Sequence, residues 1–346
     1  MADTLTVSVV VPCRNEGAHI GRLMTSVANQ TNPPVDLIIV DGGSTDGTLE
    51  VIREHAHEIA PIGVQTLIAP DDRLPTAVNR AVRAAQGAVL VRLDGHSAPS
   101  PDYIACALAH LRDPSVGVVG GVWNIVPGAP TSEASAIARA VSHPLGAGDA
   151  AYRLRHGGPA ANVDTVPFGC FTRETWQRVG GLDESLLGNE DYDFNYRVRL
   201  AGLAVRLDPS MQSTYIARAR LSALALQYYR YGWCKMQMLR SHPGALRWRQ
   251  FIPVAFVGSA AVMGLLAVFS SIAAVLLAVG LALYFGLLTA TAVSISNREG
   301  GWARVPWLVA AFATIHWCWG SGALTHLCTW GRWPDRRFLF GLKAPS

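Results

Sequence analysis

Ala88 to Pro99 reads AVLVRLDGHSAP. Val89, Leu90, Val91 and Leu93 form an apolar run of the length expected for a strand buried in a parallel sheet. The run stops at Asp94-Gly95-His96, so a carboxylate, a glycine and an imidazole stand where a strand leaves its sheet. In open α/β sheets, ligands bind outside the carboxyl ends of the strands. Asp94 and His96 can together hold a divalent cation, and Gly95 lets the backbone come close to a ligand. A plain turn after a core strand would use the same three residues, so the flanking chain has to decide between the two readings.

Upstream, Val7 to Pro12 reads as a first buried strand, followed by Arg14-Asn15-Glu16-Gly17 and a helix with Ile20, Leu23, Met24 and Val27 on one face. Asp36 to Asp41 is a second strand. The tight loop Gly42-Gly43-Ser44-Thr45-Asp46-Gly47 leads to a helix that Ser44 or Thr45 could cap. Val64 to Ile68 is a third strand and Leu74 to Ala85 a helix. Strand and helix alternate with short connections, which predicts an α/β fold with a mostly parallel sheet covered on both faces. No GxGxxG follows the first strand, which counts against a nicotinamide or flavin enzyme.

Downstream, Tyr103 to Leu111 reads as a helix and Val116 to Val122 as a strand. Pro127 to Gly158 is rich in Gly, Ala and Pro and reads equally as a long surface loop or an acceptor-binding flap. Asp183, Glu190, Asp191 and Asp193 fall in a short acidic stretch ahead of a helix over Phe194 to Leu200. Such a stretch is either a solvated loop or a set of carboxylates placed at the positive end of a helix.

Half of the 346 residues are hydrophobic and 16% are charged, against a usual charged share of about 25%. The deficit is concentrated: Gln250 to Asn297 contains no Asp, Glu, Lys or Arg. A crossing helix needs about 20 apolar residues, so two spans are expected, near 251–270 and 272–296. A basic and aromatic helix over Leu221 to Arg240, with Tyr228, Tyr229, Arg230, Tyr231 and Trp233, suits a membrane interface. Pro306 to Trp330 is a third apolar segment holding His316, His326, Gly320 and Gly322, and a basic tail follows. Arginines flank both ends of the span pair, whereas the turn at Ser270-Ser271 is uncharged, so the chain ahead of the spans and the tail are expected in the cytoplasm. On that account the third segment re-enters or lies along the interface. A net charge of +4 is too small to indicate a nucleic-acid partner. The six cysteines show no close pairing and read as buried thiols of a reducing compartment, and MADTLTVSVVVP carries no signal-peptide pattern.

Six stretches, in order, resemble the inverting family 2 glycosyltransferases of the GT-A fold, and more narrowly their membrane-attached, succinoglycan-biosynthesis ExoA-like subgroup. They are VSVVVPCRNE (7–16), IIVDGGSTDGT (38–48), VRLDGHSAPSPDYI (91–104), DTVPFGCF (164–171), GGLDESLLGNEDYDFNYRVRLAG (180–202) and QYYRYGWCKMQMLRSHP (227–243). The resemblance implies a GT-A (Rossmann-like) catalytic domain over 1–218, an interfacial helix and linker over 219–249, and a membrane region over 250–346. It implies nucleotide contacts at Pro12, Arg14, Glu16, Asp41, Arg73, Asn79 and Asp94, with Asp41 accepting from a uracil ring N–H. The family's DxD motif falls on Asp94-Gly95-His96, so His96 replaces the last carboxylate of a divalent metal site for Mn or Mg. The catalytic base falls within Glu190-Asp191, with Asp191 favoured. Gln227, Arg230 and Trp233 depart in spacing from the QxxRW motif of processive relatives, so processivity is not expected.

The implied activity moves a sugar from a nucleotide donor, UDP-linked, to a lipid-linked saccharide in exopolysaccharide or cell-surface glycan synthesis, with other polysaccharide-assembly proteins as partners. Direct transfer to polyprenyl phosphate is the alternative enzyme reading. An inactive sugar-nucleotide-binding scaffold is the alternative outside catalysis.

Overall fold

A computed structural model of the chain describes residues 5–329. The elements in order are β1 (Val7–Cys13), α1 (Ile20–Ala28), β2 (Asp36–Asp41), α2 (Thr48–Glu58), β3 (Gly63–Ile68), α3 (Leu74–Ala84), β4 (Val89–Arg92), α4 (Tyr103–Leu111) and β5 (Val116–Val126). They continue with α5 (Ser132–Val141), α6 (Pro144–Ala147), α7 (Ala151–Leu154), β6 (Ala161–Asn162), β7 (Cys170–Thr172), α8 (Arg173–Val179), α9 (Glu190–Leu200) and β8 (Ala204–Ile216). Four long helices close the described chain: α10 (Leu221–Ser241), α11 (Trp248–Ala267), α12 (Ser271–Glu299) and α13 (Val305–Cys328). The chain divides into two compact units. The first takes the chain up to Asn124 and Ala150–Tyr215, and the second takes Ile125–Asp149 and the chain from Ile216 onward.

The strands form one sheet in the order β3-β2-β1-β4-β7-β5-β8-β6. β3, β2, β1 and β4 run parallel, and β7 pairs antiparallel with both β4 and β5. The parallel half follows the expected α/β pattern. β1, β2 and β4 are buried at nearly every position because helices cover both faces of the sheet. β3, at the edge, is largely exposed, and its sequence VQTLI is correspondingly mixed. α3 places Val78, Ala81 and Val82 against Val10, Ile38, Val40 and Leu90. On the antiparallel side, Phe171, Trp176 and Phe194 interlock with ring centroids 5.1 to 5.2 Å apart. That aromatic knot fixes the start of α9 beneath the end of β4.

The stretch 127–158, which composition left between loop and flap, is mostly helical. Thr131 caps α5 by accepting from the Ala134 N–H at 3.1 Å. Alanine, the strongest helix former, fills the buried face at Ala134, Ala136, Ala138 and Ala140. Gly and Pro sit between the helices, where they end one and start the next, which is why composition alone obscured the pattern. The cysteines also depart from expectation. Cys13, Cys170 and Cys234 are buried, but Cys106 and Cys318 are half-buried and Cys328 is exposed. Cys328 is the last residue of α13, where a helix end turns side chains outward.

In the second unit, α11 and α12 are long and apolar enough to cross a membrane, and only 11% of each apolar window is buried. Val262, Leu265, Val268, Phe269, Ile272, Val275, Leu276, Val279, Leu283 and Leu287 all face outward. An apolar surface of this extent does not persist in water. α13 is one continuous helix packed against α10, α11 and α12. Its glycines permit the close approach: a Cβ on Gly320 would strike the Pro253 carbonyl of α11, and one on Gly322 the Tyr229 carbonyl of α10. Its histidines face protein too. His316 bonds the Tyr284 hydroxyl at 3.0 Å and the Leu145 carbonyl at 2.8 Å, and His326 packs edge-on against Trp233. The basic tail from Gly331 to Ser346, expected on the cytoplasmic side, lies outside the described residues.

Candidate active site

The loops that follow β1 and β2 are laced together by short polar bonds. The Asn15 N–H donates to Ser44 Oγ at 2.8 Å, and the Thr45 N–H donates to Asn15 Oδ1 at 2.9 Å. The Glu16 N–H donates to Thr48 Oγ1 at 2.9 Å, and the Gly17 N–H to Asp46 Oδ2 at 3.0 Å. Asn15 adopts φ +56°, a left-handed conformation that Asn tolerates better than most residues, and this turns the loop over the end of β2. Pro12, Arg14, Glu16 and Asp41 thereby share one end of the sheet. Arg14 is exposed and lies against Gly42.

Asp41 is fully buried, and protein donors take both its oxygens. Oδ2 accepts from the Gly43 and Ser44 N–H groups at 2.9 and 3.0 Å, while Oδ1 accepts from the Ser44 hydroxyl and, at 3.8 Å, from the Cys13 thiol. Burial, then the Asp41 carboxylate, push the Cys13 thiol up to about 12, so Cys13 stays protonated and unreactive. Arg73 is half-buried at the N-cap of α3. Asn79 turns the other way: its Nδ2 donates to the Leu182 carbonyl at 2.9 Å and to Glu184 at 2.8 Å, and its Oδ1 accepts from the Leu182 N–H at 3.0 Å. In this arrangement Asn79 pins the 181–184 loop to α3.

β4 delivers the centre of the site. Arg92, its last residue, is only 4% exposed, and its guanidinium gathers three carboxylates. It pairs with Asp94 at 3.1 Å, with Glu190 at 3.4 Å, and through Nη1 with Asp191. Asp94 sits in a turn closed by Ser97, whose N–H and hydroxyl both donate to the Asp94 carbonyl. His96 Nδ1 bonds Glu16 Oε1 at 2.9 Å, tying the β4 turn to the β1 loop. Gly95 is required between them, because a Cβ there would stand 2.8 Å from Glu16 Cγ and 3.2 Å from Cys13 Cβ.

The acidic stretch separates into roles. Asp183 closes its own turn by accepting from the Ser185 N–H at 2.9 Å. Asp193, 1% exposed, is held by Arg197 Nε and Nη2 at 2.8 and 2.7 Å, and Arg197 also donates to the Val179 and Gly181 carbonyls. Asp193 is therefore a structural anchor. Glu190 and Asp191 occupy the first turn of α9, where the helix dipole favours negative charge. Asp193→Ala should lower stability by about 3–5 kcal/mol, because Arg197 would remain without its carboxylate. Thermal unfolding should show that loss for Asp193→Ala and little change for Asp191→Ala, whose side chain is 33% exposed.

An aromatic wall completes the first unit's site. Trp123 stacks on Tyr215 with centroids 4.2 Å apart and planes 7° from parallel, and Tyr152 meets it edge-on at 4.8 Å. The Arg153 guanidinium lies 5.1 Å from the Trp123 ring, and His96 approaches Tyr215 at 6.5 Å. The residue-type reading did not single out Arg92, Trp123, Tyr152, Arg153 or Tyr215. Arg92 did carry a signal, since an arginine inside a buried apolar strand must be paired. The wall carried none, because its members come from three separated stretches.

The residues at Asp94 fit a divalent cation. Three carboxylates surround one guanidinium, which leaves an excess of negative charge, and Asp94 and His96 supply oxygen and imidazole donors. Among the described residues, no three His, Cys, Asp or Glu side chains form a metal cage. Such a cation would be held by one or two protein groups together with substrate phosphates, the usual arrangement for a cation bridging protein and phosphate.

Comparison with known proteins accords with this geometry. A family described as Glycosyl transferase family 2 matches residues 8–158, and Glycosyl transferase family group 2 matches residues 89–288. Succinoglycan biosynthesis protein ExoA of Rhizobium meliloti is 31% identical over 327 residues, which is 93% of this chain and 96% of that protein. A Methanococcus voltae enzyme, named as a glucuronosyltransferase acting on dolichyl N-acetyl-α-D-glucosaminyl phosphate, is 25% identical over 68% of this chain and 74% of its own length. The mannosyltransferase PcManGT of Pyrobaculum calidifontis, solved with GDP-Man and Mn2+, superposes with a TM-score of 0.62 at 22% identity. That match covers 91% of this chain and 88% of the mannosyltransferase, and it shows the common GT-A fold.

Proposed function

The chain belongs to glycosyl transferase family 2, and from that premise we propose that it moves a sugar, with inversion, from a UDP-linked donor to a lipid-linked saccharide at the cytoplasmic face of a membrane. The observation that carries this reading is the meeting of Asp94, at the end of β4, with Asp191, at the start of α9, across the Arg92 guanidinium. An inverting transfer needs a base to take the acceptor hydroxyl proton as that oxygen attacks the anomeric carbon and the nucleoside diphosphate departs. Asp191 is the better placed base, since its side chain is 33% exposed and that of Glu190 only 12%.

Arg92 is a positioning residue: it fixes the direction of the Asp191 carboxylate without reaching solvent. Pro12, Arg14, Glu16, Asp41 and Arg73 line the nucleotide end, and the Trp123–Tyr215 wall offers apolar faces to sugar rings. Asp94 and His96 would hold a divalent cation, Mn or Mg, which when bound offsets charge on the leaving diphosphate. The exposed apolar lengths of α11 and α12 support membrane attachment, and α13, with its polar groups turned to protein, supports a role in presenting the lipid end of the acceptor. The Methanococcus relative supports a lipid-phosphate-linked sugar as acceptor over polyprenyl phosphate itself.

The purified full chain, given a panel of nucleotide sugars, should release nucleoside diphosphate from a UDP-sugar only when metal is present. Extraction should recover the sugar on a lipid-linked saccharide. Release from a GDP-sugar alone would overturn the donor assignment, and sugar recovered on polyprenyl phosphate would overturn the acceptor assignment.

A further inference from the structure

The second unit contains a cleft of about 470 Å³ between α5 and the C-terminal turns of α12. Arg139 and His143 line one side, and Thr291, Ser294, Arg298 and Glu299 line the other. Thr291, Ser294 and Arg298 follow one another at helical spacing, so they share a face of α12. Glu299 is already shared: Arg139 Nε reaches one oxygen at 2.6 Å and Arg304 Nη2 the other at 3.7 Å. Arg298 is exposed and makes no ion pair among the described residues. The cleft is thus lined by two guanidinium groups, Arg139 and Arg298, and one carboxylate, Glu299, which leaves it with net positive charge. Burial, then the neighbouring Arg139 cation, hold the His143 pKa below its ordinary value, so at neutral pH the pull on an anion comes from the arginines.

The position of the cleft along α12 limits what that anion can be. α12 has 29 residues, about 44 Å of helix at 1.5 Å per residue, whereas a crossing requires about 20 residues. Its outward apolar surface runs from Ile272 to Leu287, and the cleft begins at the turn that follows. The polar end therefore emerges at headgroup depth, and Arg298 and Arg304 mark that side as cytoplasmic. Basic pockets at this depth take phosphate head groups, and guanidinium forks match phosphate oxygens. We propose that the cleft between α5 and the end of α12 binds the phosphate of a membrane lipid. The site rests on the span assignment of α12 and is independent of which sugar the enzyme transfers.

The test is lipid retention by the full chain in a neutral maltoside detergent, read by native mass spectrometry. The probes are polyprenyl phosphate, phosphatidylglycerol and inorganic phosphate at equal concentrations. Wild type should retain at least one of the lipids well above inorganic phosphate. Arg298→Gln should bind that lipid about tenfold more weakly, the effect of losing one hydrogen bond to a charged group. Arg298→Lys should keep most of the binding, and Arg53→Gln, which alters an exposed charge on α2, should match wild type. Loss confined to polyprenyl phosphate identifies the acceptor's lipid as the occupant, and loss for both lipids identifies bulk anionic lipid. Equal retention by wild type and Arg298→Gln, or inorganic phosphate binding as tightly as the lipids, overturns the proposal. The readout does not depend on turnover, so it stays distinct from failure of the donor or acceptor assignment.

Discussion

Asp191→Asn should lower kcat by about 10²–10⁴, the usual worth of a positioned general base, while donor KM stays unchanged. Asparagine keeps the size of the side chain and can still accept from Arg92 through its carbonyl oxygen, so the start of α9 keeps its place. What it loses is the capacity to take a proton. Because the proposed mechanism gives Asp191 to the acceptor and not to the nucleotide, the loss should fall on kcat. Glu190→Gln should cost less, since Glu190 is the more buried member of the pair and lies 3.4 Å from the same guanidinium, as a support to Arg92. Arg92→Lys should also slow turnover, because one ammonium cannot hold three carboxylates in the directions that a planar fork does. Steady-state kinetics on the three variants check the assignment. A near-normal rate for Asp191→Asn with a collapse in Glu190→Gln would transfer the base role to Glu190.

Much of this site was legible because its parts end strands and begin helices. The parallel half of the sheet follows from runs such as VSVVVP and DLIIVD, whose near-continuous apolar character has one explanation, burial on both faces. Asp94 and Gly95 were legible as a candidate for the same reason, since ligands of open α/β sheets bind where such a run ends, although a plain turn would read alike. The family resemblance located Glu190-Asp191, but residue type alone could not separate them from Asp193. That distinction depends on Arg197 reaching back to the Val179 and Gly181 carbonyls, a tertiary arrangement without a local signature. Asn79 shows the converse case: the resemblance implies a nucleotide contact there, while its side chain bonds the 181–184 loop. The helices of 132–154 were hidden because small residues carry little periodic signal, and α5 gains its order from packing against α13.

Asp94→Ala should reduce turnover to background and abolish the response to added Mn or Mg. Asp94 is the one carboxylate of the Arg92 cluster that leaves directly from the central parallel strands, at the edge proposed to hold the nucleotide. Removing it leaves Arg92 with Glu190 and Asp191, so the cluster survives and the loss is one of cation affinity. His96→Ala should be strongly impaired but measurable. It removes an imidazole donor and also frees Glu16, which His96 holds at 2.9 Å, so the β1 loop loses a tether as well. His96→Asp, which rebuilds a two-carboxylate DxD, should recover metal binding and shift preference from Mn toward Mg, because a carboxylate is the harder ligand. Electron paramagnetic resonance of Mn titrated into the full chain with UDP measures cation affinity without turnover. It should show bound Mn in wild type, weak binding in His96→Ala and none in Asp94→Ala. Full activity of the wild type in excess EDTA, or unchanged Mn binding in Asp94→Ala, would remove the cation from this site and return the Asp94-Gly95-His96 turn to a purely structural role.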